Sequence, residues 1–161
     1  MRDGLAVRRG GASRHLSKDR GPLREFLAFV LGGQTYGIEI NGVGAILKMP
    51  PLTPVPRAPV GVMGIISVRG KVVTVIDLRC KLGLPRPPPN RNTRVLLVPF
   101  DDGETVGLYV EEVLQVYRLA QAEIEPPSSA LGSEPGEHVI GLGRPDGKLI
   151  VLMDVAPILR R

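Results

Sequence analysis

The sequence predicts an all-β fold built from two small barrels, and three observations carry that prediction. From Glu25 onward, short apolar runs are broken by Gly, Asp and Pro, the texture of strands joined by tight turns. The chain also matches itself. At an offset of 70 residues, Gly37, Ile38, Ile40, Val43, Ile46 and Lys48 meet Gly107, Leu108, Val110, Val113, Val116 and Arg118; at an offset of 77, Gly64, Gly70, Lys71, Val72, Val73, Val75 and Asp77 meet Gly141, Gly147, Lys148, Leu149, Ile150, Leu152 and Asp154. Finally, each repeat of about 70 residues holds roughly five strands, too small a unit to bury an ample core alone, so the two units should share an interface.

The elements follow in order. Phe26 to Leu31 and Thr35 to Ile40 flank Gly32-Gly33 as a first hairpin. After Asn41, a competent N-cap, the spacing of Val43, Ile46 and Leu47 predicts a short helix, weakened by Gly42 and Gly44 at about 1 kcal/mol each. Met49 to Pro59 has five prolines in eleven residues and should run over the surface as an extended connection. Ile65 to Val68 and Val72 to Ile76 form a hairpin around Arg69-Gly70-Lys71, and Asp77 then caps a helix. Pro85 to Asn92, with four prolines, hands the first unit over to the second. There Arg94 to Phe100 and Thr105 to Val110 flank Asp101-Asp102-Gly103-Glu104. Val113, Val116 and Tyr117 predict a second short helix after Glu111-Glu112, Pro126 to Gly136 a flexible loop, and Val139 to Leu142 with Lys148 to Met153 the closing hairpin, again ending in an aspartate cap, Asp154.

Charge and cysteine content exclude several classes. Of the 161 residues 21 are basic and 16 acidic, a net charge of +5. All of that excess lies in residues 1–24, an Arg- and Gly-rich leader without periodicity that is expected to be disordered; the remainder is formally neutral. A lone Cys80 can form no internal disulfide, no apolar run reaches membrane-span length, and a reducing, cytoplasmic setting is expected.

The search for chemistry ends in surfaces. His15 and His138 are the only histidines, which leaves a His/Cys metal site without its ligands. Cys80 has basic neighbours but no histidine partner, and reads as a packing or surface thiol. Gly141-Leu142-Gly143-Arg144-Pro145-Asp146-Gly147 has the wrong glycine spacing for a phosphate loop and leads into a strand, so it reads as a hairpin turn. No acid–base pair, nucleophile set or cofactor loop emerges: no catalytic residue, no cofactor and no metal are expected. The six aromatics, three Phe and three Tyr, sit mostly at strand positions suited to packing rather than to stacking nucleic-acid bases. Exposed sheet edges and a groove between barrels are natural surfaces for protein partners.

Several stretches resemble the CheW chemotaxis coupling family. They are Glu25 to Gly33, Tyr36-Gly37-Ile38-Glu39-Ile40, Val55-Pro56-Arg57-Ala58-Pro59, Gly64 to Gly70 and Val75-Ile76-Asp77-Leu78-Arg79, followed by Val106 to Val110, Ile124-Glu125-Pro126-Pro127 and Leu149 to Asp154. The resemblance implies two intertwined five-stranded SH3-like barrels spanning residues 25–161 after the leader. The first would cover about residues 36–92 and the second about 93–148, with 25–35 and 149–159 crossing between them. It implies a non-enzymatic adaptor, recruited to receptor arrays, that joins the cytoplasmic tip of a chemoreceptor to the regulatory domain of a CheA-type histidine kinase, with weak self-association in the array. By position, Val43, Gly64 and Arg69 match receptor-contact sites, and Leu47, Lys48, Met49, Leu52 and Thr53 match a kinase-contacting segment.

The chain departs from the family pattern at Ala45, where an acidic residue is usual, and at Gly61, Ser67 and Val68. These changes cluster in the first barrel and leave two alternatives open. One is a divergent paralogue keeping only one of the two contacts. The other, of a different class, is a module that binds an anionic surface, lipid or nucleic acid, through the basic leader.

Overall fold

The computed structural model describes residues 21–100, 103–127, 136 and 138–160. The leader up to residue 20, Asp101-Asp102 of the third turn and most of the Pro126 to Gly136 loop lie outside the described residues. The elements are β1 (Leu23–Leu31), β2 (Gln34–Glu39), β3 (Ala45–Lys48), β4 (Val62–Val68), β5 (Lys71–Ile76), α1 (Leu78–Leu82), β6 (Arg94–Phe100), β7 (Glu104–Val110), β8 (Glu112–Ala120), β9 (Val139–Gly143), β10 (Ile150–Met153) and α2 (Ala156–Leu159), with single 3-10 turns at Ile40–Gly42, Gln121–Glu123 and Pro145–Gly147. The four hairpins anticipated from turn residues are present, and β1 starts inside the expected leader, taking Leu23 and Arg24 into the sheet.

The strands form two curled five-stranded sheets, ordered β8-β1-β2-β10-β9 and β3-β6-β7-β5-β4. Substituting β1 to β5 by β6 to β10, and the reverse, converts one order into the other. Each half therefore gives its first hairpin to the other half's barrel. The swap is held by two parallel pairings that superimpose under the repeat: Val151 with Tyr36 and Leu152 with Gly37 on one side, Thr74 with Val106 and Val75 with Gly107 on the other. The barrel boundaries differ from those expected: β2 belongs to the second barrel (β1, β2, β8 to β10), and β6 and β7 to the first (β3 to β7). Local apolar patterning specifies a strand but not its partner, so the exchange was invisible to it.

Side-chain alternation along the swapped strands makes three cores. Phe26 and Ala28 of β1 point into the second barrel with Tyr117, Leu119, Ile150 and Leu152. Val95 and Tyr109 point into the first barrel with Ile66, Val73 and Val75. The opposite faces of the same strands, carrying Leu27, Phe29, Leu31, Leu96, Val98 and Leu108, meet in the seam between the barrels, the largest of the three. Strands buried on both faces read as continuous apolar runs, which is why β1 and β6 show no polar alternation.

Both short helices expected after the first hairpin of each repeat are corrected. The first region is a 3-10 turn followed by strand β3, with Val43 extended at φ −113° and ψ 115°. Glycines at 42 and 44 deny a helix its propensity, and β3 instead gains a ladder from Ala45–Leu97 to Lys48–Arg94. The second region is β8. There Val113 lies opposite Phe29 and Val116 opposite Leu27, a register shift that inserts an extra residue into β8. The bulge turns Val113 and Val116 to one side of the strand, so a three-residue spacing mimics a helix.

Candidate functional site

The β4–β5 hairpin closes on Arg69-Gly70, with φ 51° and 81°. Its counterpart in the other barrel closes on Asp146-Gly147, with φ 53° and 76°. The left-handed region suits Gly, Asn and Asp, and disfavours a long side chain such as arginine. Arg69 is exposed there and projects from the tip of the first barrel.

Behind that hairpin the proline-rich segment is laid along the free edge of β4. Thr53 exchanges both backbone hydrogen bonds with Ile65, at 2.9 and 2.8 Å. Glu125 does the same with Leu142 in the second barrel, at 2.8 and 2.9 Å. The close approach is possible because the residue beneath is glycine: a Cβ on Gly64 would stand 2.5 Å from the Thr53 carbonyl oxygen, and one on Gly141 2.9 Å from that of Glu125. Leu47, Met49 and Leu52 turn partly into the first barrel's core, whereas Lys48 and Thr53 are exposed.

The two ends of the seam differ in chemistry. At one end Asp77 caps α1 and grips Arg79 through both oxygens, at 2.9 Å each from Nε and Nη2. Arg79 Nη1 reaches Glu111 Oε2 at 2.9 Å and the Pro87 carbonyl at 3.2 Å, and the guanidinium carbon lies 4.5 Å from the centre of the Tyr109 ring. Glu111 in turn accepts from the backbone N–H groups of Gly32 at 2.6 Å and Gly33 at 3.3 Å. Burial disfavours the Arg79 charge, but the hydrogen-bonded carboxylates of Asp77 and Glu111 more than offset it and hold its pKa above the ordinary arginine value. This network ties α1, the β7–β8 corner and the β1–β2 turn together.

At the other end Asp154 repeats the Asp77 geometry. Its N–H donates to the His138 carbonyl at 2.8 Å, as that of Asp77 does to Gly61 at 2.7 Å. Its Oδ1 accepts from Ala156 N at 3.1 Å, as Asp77 Oδ1 accepts from Arg79 N at 3.0 Å. The residue in Arg79's place is Ala156. A cavity of about 350 Å³ opens here, walled by Ile38, Val98, Phe100 and Met153 and carrying Arg24, Glu39 and Asp154. Arg24 pairs with Glu39 at 2.7 Å, a bond that raises its pKa.

The residues expected at a site thus occupy three settings. Val43 packs against the seam core, Gly64 lies under Thr53, and Arg69 stands at the hairpin tip. The structure joins Gly64 to the Leu47 to Thr53 segment rather than to Arg69. Sequence reading missed the Arg79–Glu111 lock, although a signal existed: Asp77-Leu78-Arg79 has no matching arginine in Asp154-Val155-Ala156. Among the described residues no group of three or more His, Cys, Asp or Glu is placed to hold a metal ion.

Comparison with known proteins bears on this architecture. The family model described as CheW-like domain matches residues 25–161. The chain is 30% identical over 144 residues to a chemotaxis protein CheW of Helicobacter pylori, covering 89% of this chain and 86% of that one. It is 31% identical over 136 residues to the Klebsiella aerogenes chemotaxis protein CheW, covering 84% and 81% of the two chains. Protein FrzA of Myxococcus xanthus is 30% identical over 149 residues, 91% of this chain and 92% of FrzA. Among solved structures, the crystal structure of the scaffolding protein TtCheW from Thermoanaerobacter tengcongensis superimposes with a TM-score of 0.75 at 28% identity, covering 84% of this chain and 91% of that one.

Proposed function

Because the chain belongs to the CheW-like domain family, we propose that it is a non-enzymatic adaptor coupling chemoreceptors to a CheA-type histidine kinase in a chemotaxis-like array. The observation that carries this reading is the extent of the family match: it runs from residue 25 to residue 161, through both barrels and the swapped strands. In this reading Val43, Gly64 and Arg69 meet the receptor tip, and Leu47, Lys48, Met49, Leu52 and Thr53 meet the regulatory domain of the kinase. The strained and exposed backbone of Arg69 supports a role for that side chain outside the fold, since Asp146 closes the equivalent turn with a residue type better suited to it. Lys48 and Thr53 offer exposed polar groups on a segment stiffened by proline. No helix among the described residues is long and apolar enough to cross a membrane, and the proposed place of action is a receptor array reached through these contacts.

Calorimetric titration of the purified chain against a chemoreceptor cytoplasmic hairpin and, separately, a CheA regulatory domain tests the proposal. Binding to both supports it, and binding to neither overturns it. Ala45 favours a second reading in which one contact has been lost, because Arg69 forms no ion pair among the described residues and position 45 supplies no carboxylate to orient it. Saturable binding to one partner alone identifies that case.

A further inference from the structure

The internal duplication also shows what the first repeat lacks. At the offset of 77 residues Gly61 stands where the second repeat has His138, and each gives its carbonyl to the N–H of a capping aspartate, at 2.7 and 2.8 Å. The His138 ring lies over Gly136, where an added Cβ would meet its Cε1 at 2.5 Å. The first repeat has Pro59 in place of Gly136 and no side chain at position 61, and a cavity of about 410 Å³ opens there. Pro59, Val60, Val62 and Met63 wall it, and it carries Cys80 and Arg86. The chain's own residue 61 is badly placed to fill it. Its φ is +93° and a Cβ would stand 3.2 Å from the Lys81 stem, so the position is committed to glycine.

We propose that this cavity is a docking site for an aromatic side chain of a partner protein, carried on an acidic segment. The walls select a ring, because the thioether of Met63 and the guanidinium of Arg86 are groups that favour aromatic over aliphatic contact. The charge selects the segment. Arg86 is exposed, donates to Cys80 Sγ at 3.0 Å, a weak acceptor, and pairs with no carboxylate among the described residues. Asp77, the carboxylate at the wall, is already gripped by Arg79. Arg57, two residues before Pro59, adds a second exposed cation. Arg86 is also held in place: it lies between Pro85 and Pro87, and the Pro87 carbonyl accepts from Arg79 at 3.2 Å. Val60, 78% exposed, adds an apolar group that nothing in the chain covers. None of these residues belongs to the receptor or kinase set assigned above, so the cavity serves a further contact.

The test needs no receptor or kinase, so its outcome is separate from that of the adaptor reading. The chain has no Trp and a single Cys, which gives the cavity two clean reporters. The probe is the peptide acetyl-Glu-Trp-Glu-amide, compared with acetyl-Lys-Trp-Lys-amide and acetyl-Glu-Leu-Glu-amide. Emission of the Glu-Trp-Glu peptide should shift to the blue on adding the full chain, and at saturation Cys80 should react with N-ethylmaleimide at least about fivefold more slowly. Arg86→Gln should weaken binding about fivefold, the size of one exposed ion pair, and Val60→Glu, which sets a carboxylate beside the cavity, should weaken it by about as much. Both positions are exposed, so neither change disturbs the core. Lys-Trp-Lys binding as tightly as Glu-Trp-Glu would overturn the acidic partner. Equal protection of Cys80 by Glu-Leu-Glu would overturn the ring, and absence of protection by every peptide at millimolar concentration would overturn the site itself.

Discussion

The two ends of the seam are the same piece of backbone made twice. An aspartate ends an apolar strand, donates its N–H to a carbonyl of the neighbouring segment, and caps a short helix through its carboxylate. At one end Arg79 turns that cap into a buried lock reaching Glu111 and, through it, the Gly32-Gly33 turn. At the other end Ala156 leaves the cap exposed and the seam open. Duplication preserved the geometry, and one side chain decided whether an end holds the barrels together or offers a surface.

Breaking that comparison at its strongest point gives the largest expected effect. Asp77→Ala leaves the Arg79 guanidinium, only 3% exposed, without its bidentate partner. Loss of one partner of a buried ion pair costs about 3–5 kcal/mol. Asp154→Ala removes a solvent-exposed cap and should cost only about 1 kcal/mol. Urea denaturation of the two variants should therefore separate them clearly in midpoint. Equal losses would mean that the Arg79 network contributes no more than its cap.

The contrast also marks how far the sequence could be read. Hairpins were legible because Gly33, Gly70 and Gly147 mark left-handed turn positions that few other residues accept. The duplicate was legible because glycines, a lysine and aspartates recur in one order. Which sheet each strand joins was not, since β2 would look the same beside either barrel. A strand was read as a helix where a bulge at Val113 to Val116 gave the apolar residues a three-residue spacing. For the site, sequence identified Arg69 as a hairpin tip and Asp77 as a cap. The lock needed Glu111, 32 residues beyond Arg79, and distance along the chain hides such a partner.

A second pair of equivalent positions sharpens the division between fold and function. Gly64 and Gly141 both lie under a bridging strand, and added Cβ atoms would meet Thr53 O at 2.5 Å and Ile124 Cγ2 at 2.5 Å respectively. At Gly64 the obstacle is backbone and φ is +154°, whereas at Gly141 the nearest atom belongs to a side chain that can move. Gly64→Ala should lose about 1–3 kcal/mol, more than Gly141→Ala. Thermal unfolding checks the order. If Gly64→Ala unfolds normally yet fails to bind a receptor tip, glycine at this position serves the contact directly; if both are lost together, it serves by letting Thr53 close over the barrel.

The smallest expected change in stability belongs to the hairpin tips, where the comparison speaks most directly to function. Arg69 and Asp146 occupy the same turn position with nearly the same φ, 51° and 53°. Asn is among the non-glycine residues best tolerated in that region, so Arg69→Asn should leave the unfolding midpoint unchanged or raise stability by up to about 1 kcal/mol. If arginine is held there for a partner, the same substitution should weaken receptor binding and leave kinase binding untouched. The reciprocal change, Asp146→Arg, should cost a similar small amount of stability and alter neither contact. A variant that folds at least as well and binds less well would separate the two roles of the residue, because neither loss of packing nor loss of the turn could account for it. Undiminished binding by Arg69→Asn would instead return Arg69 to the status of its counterpart, a residue that closes a turn.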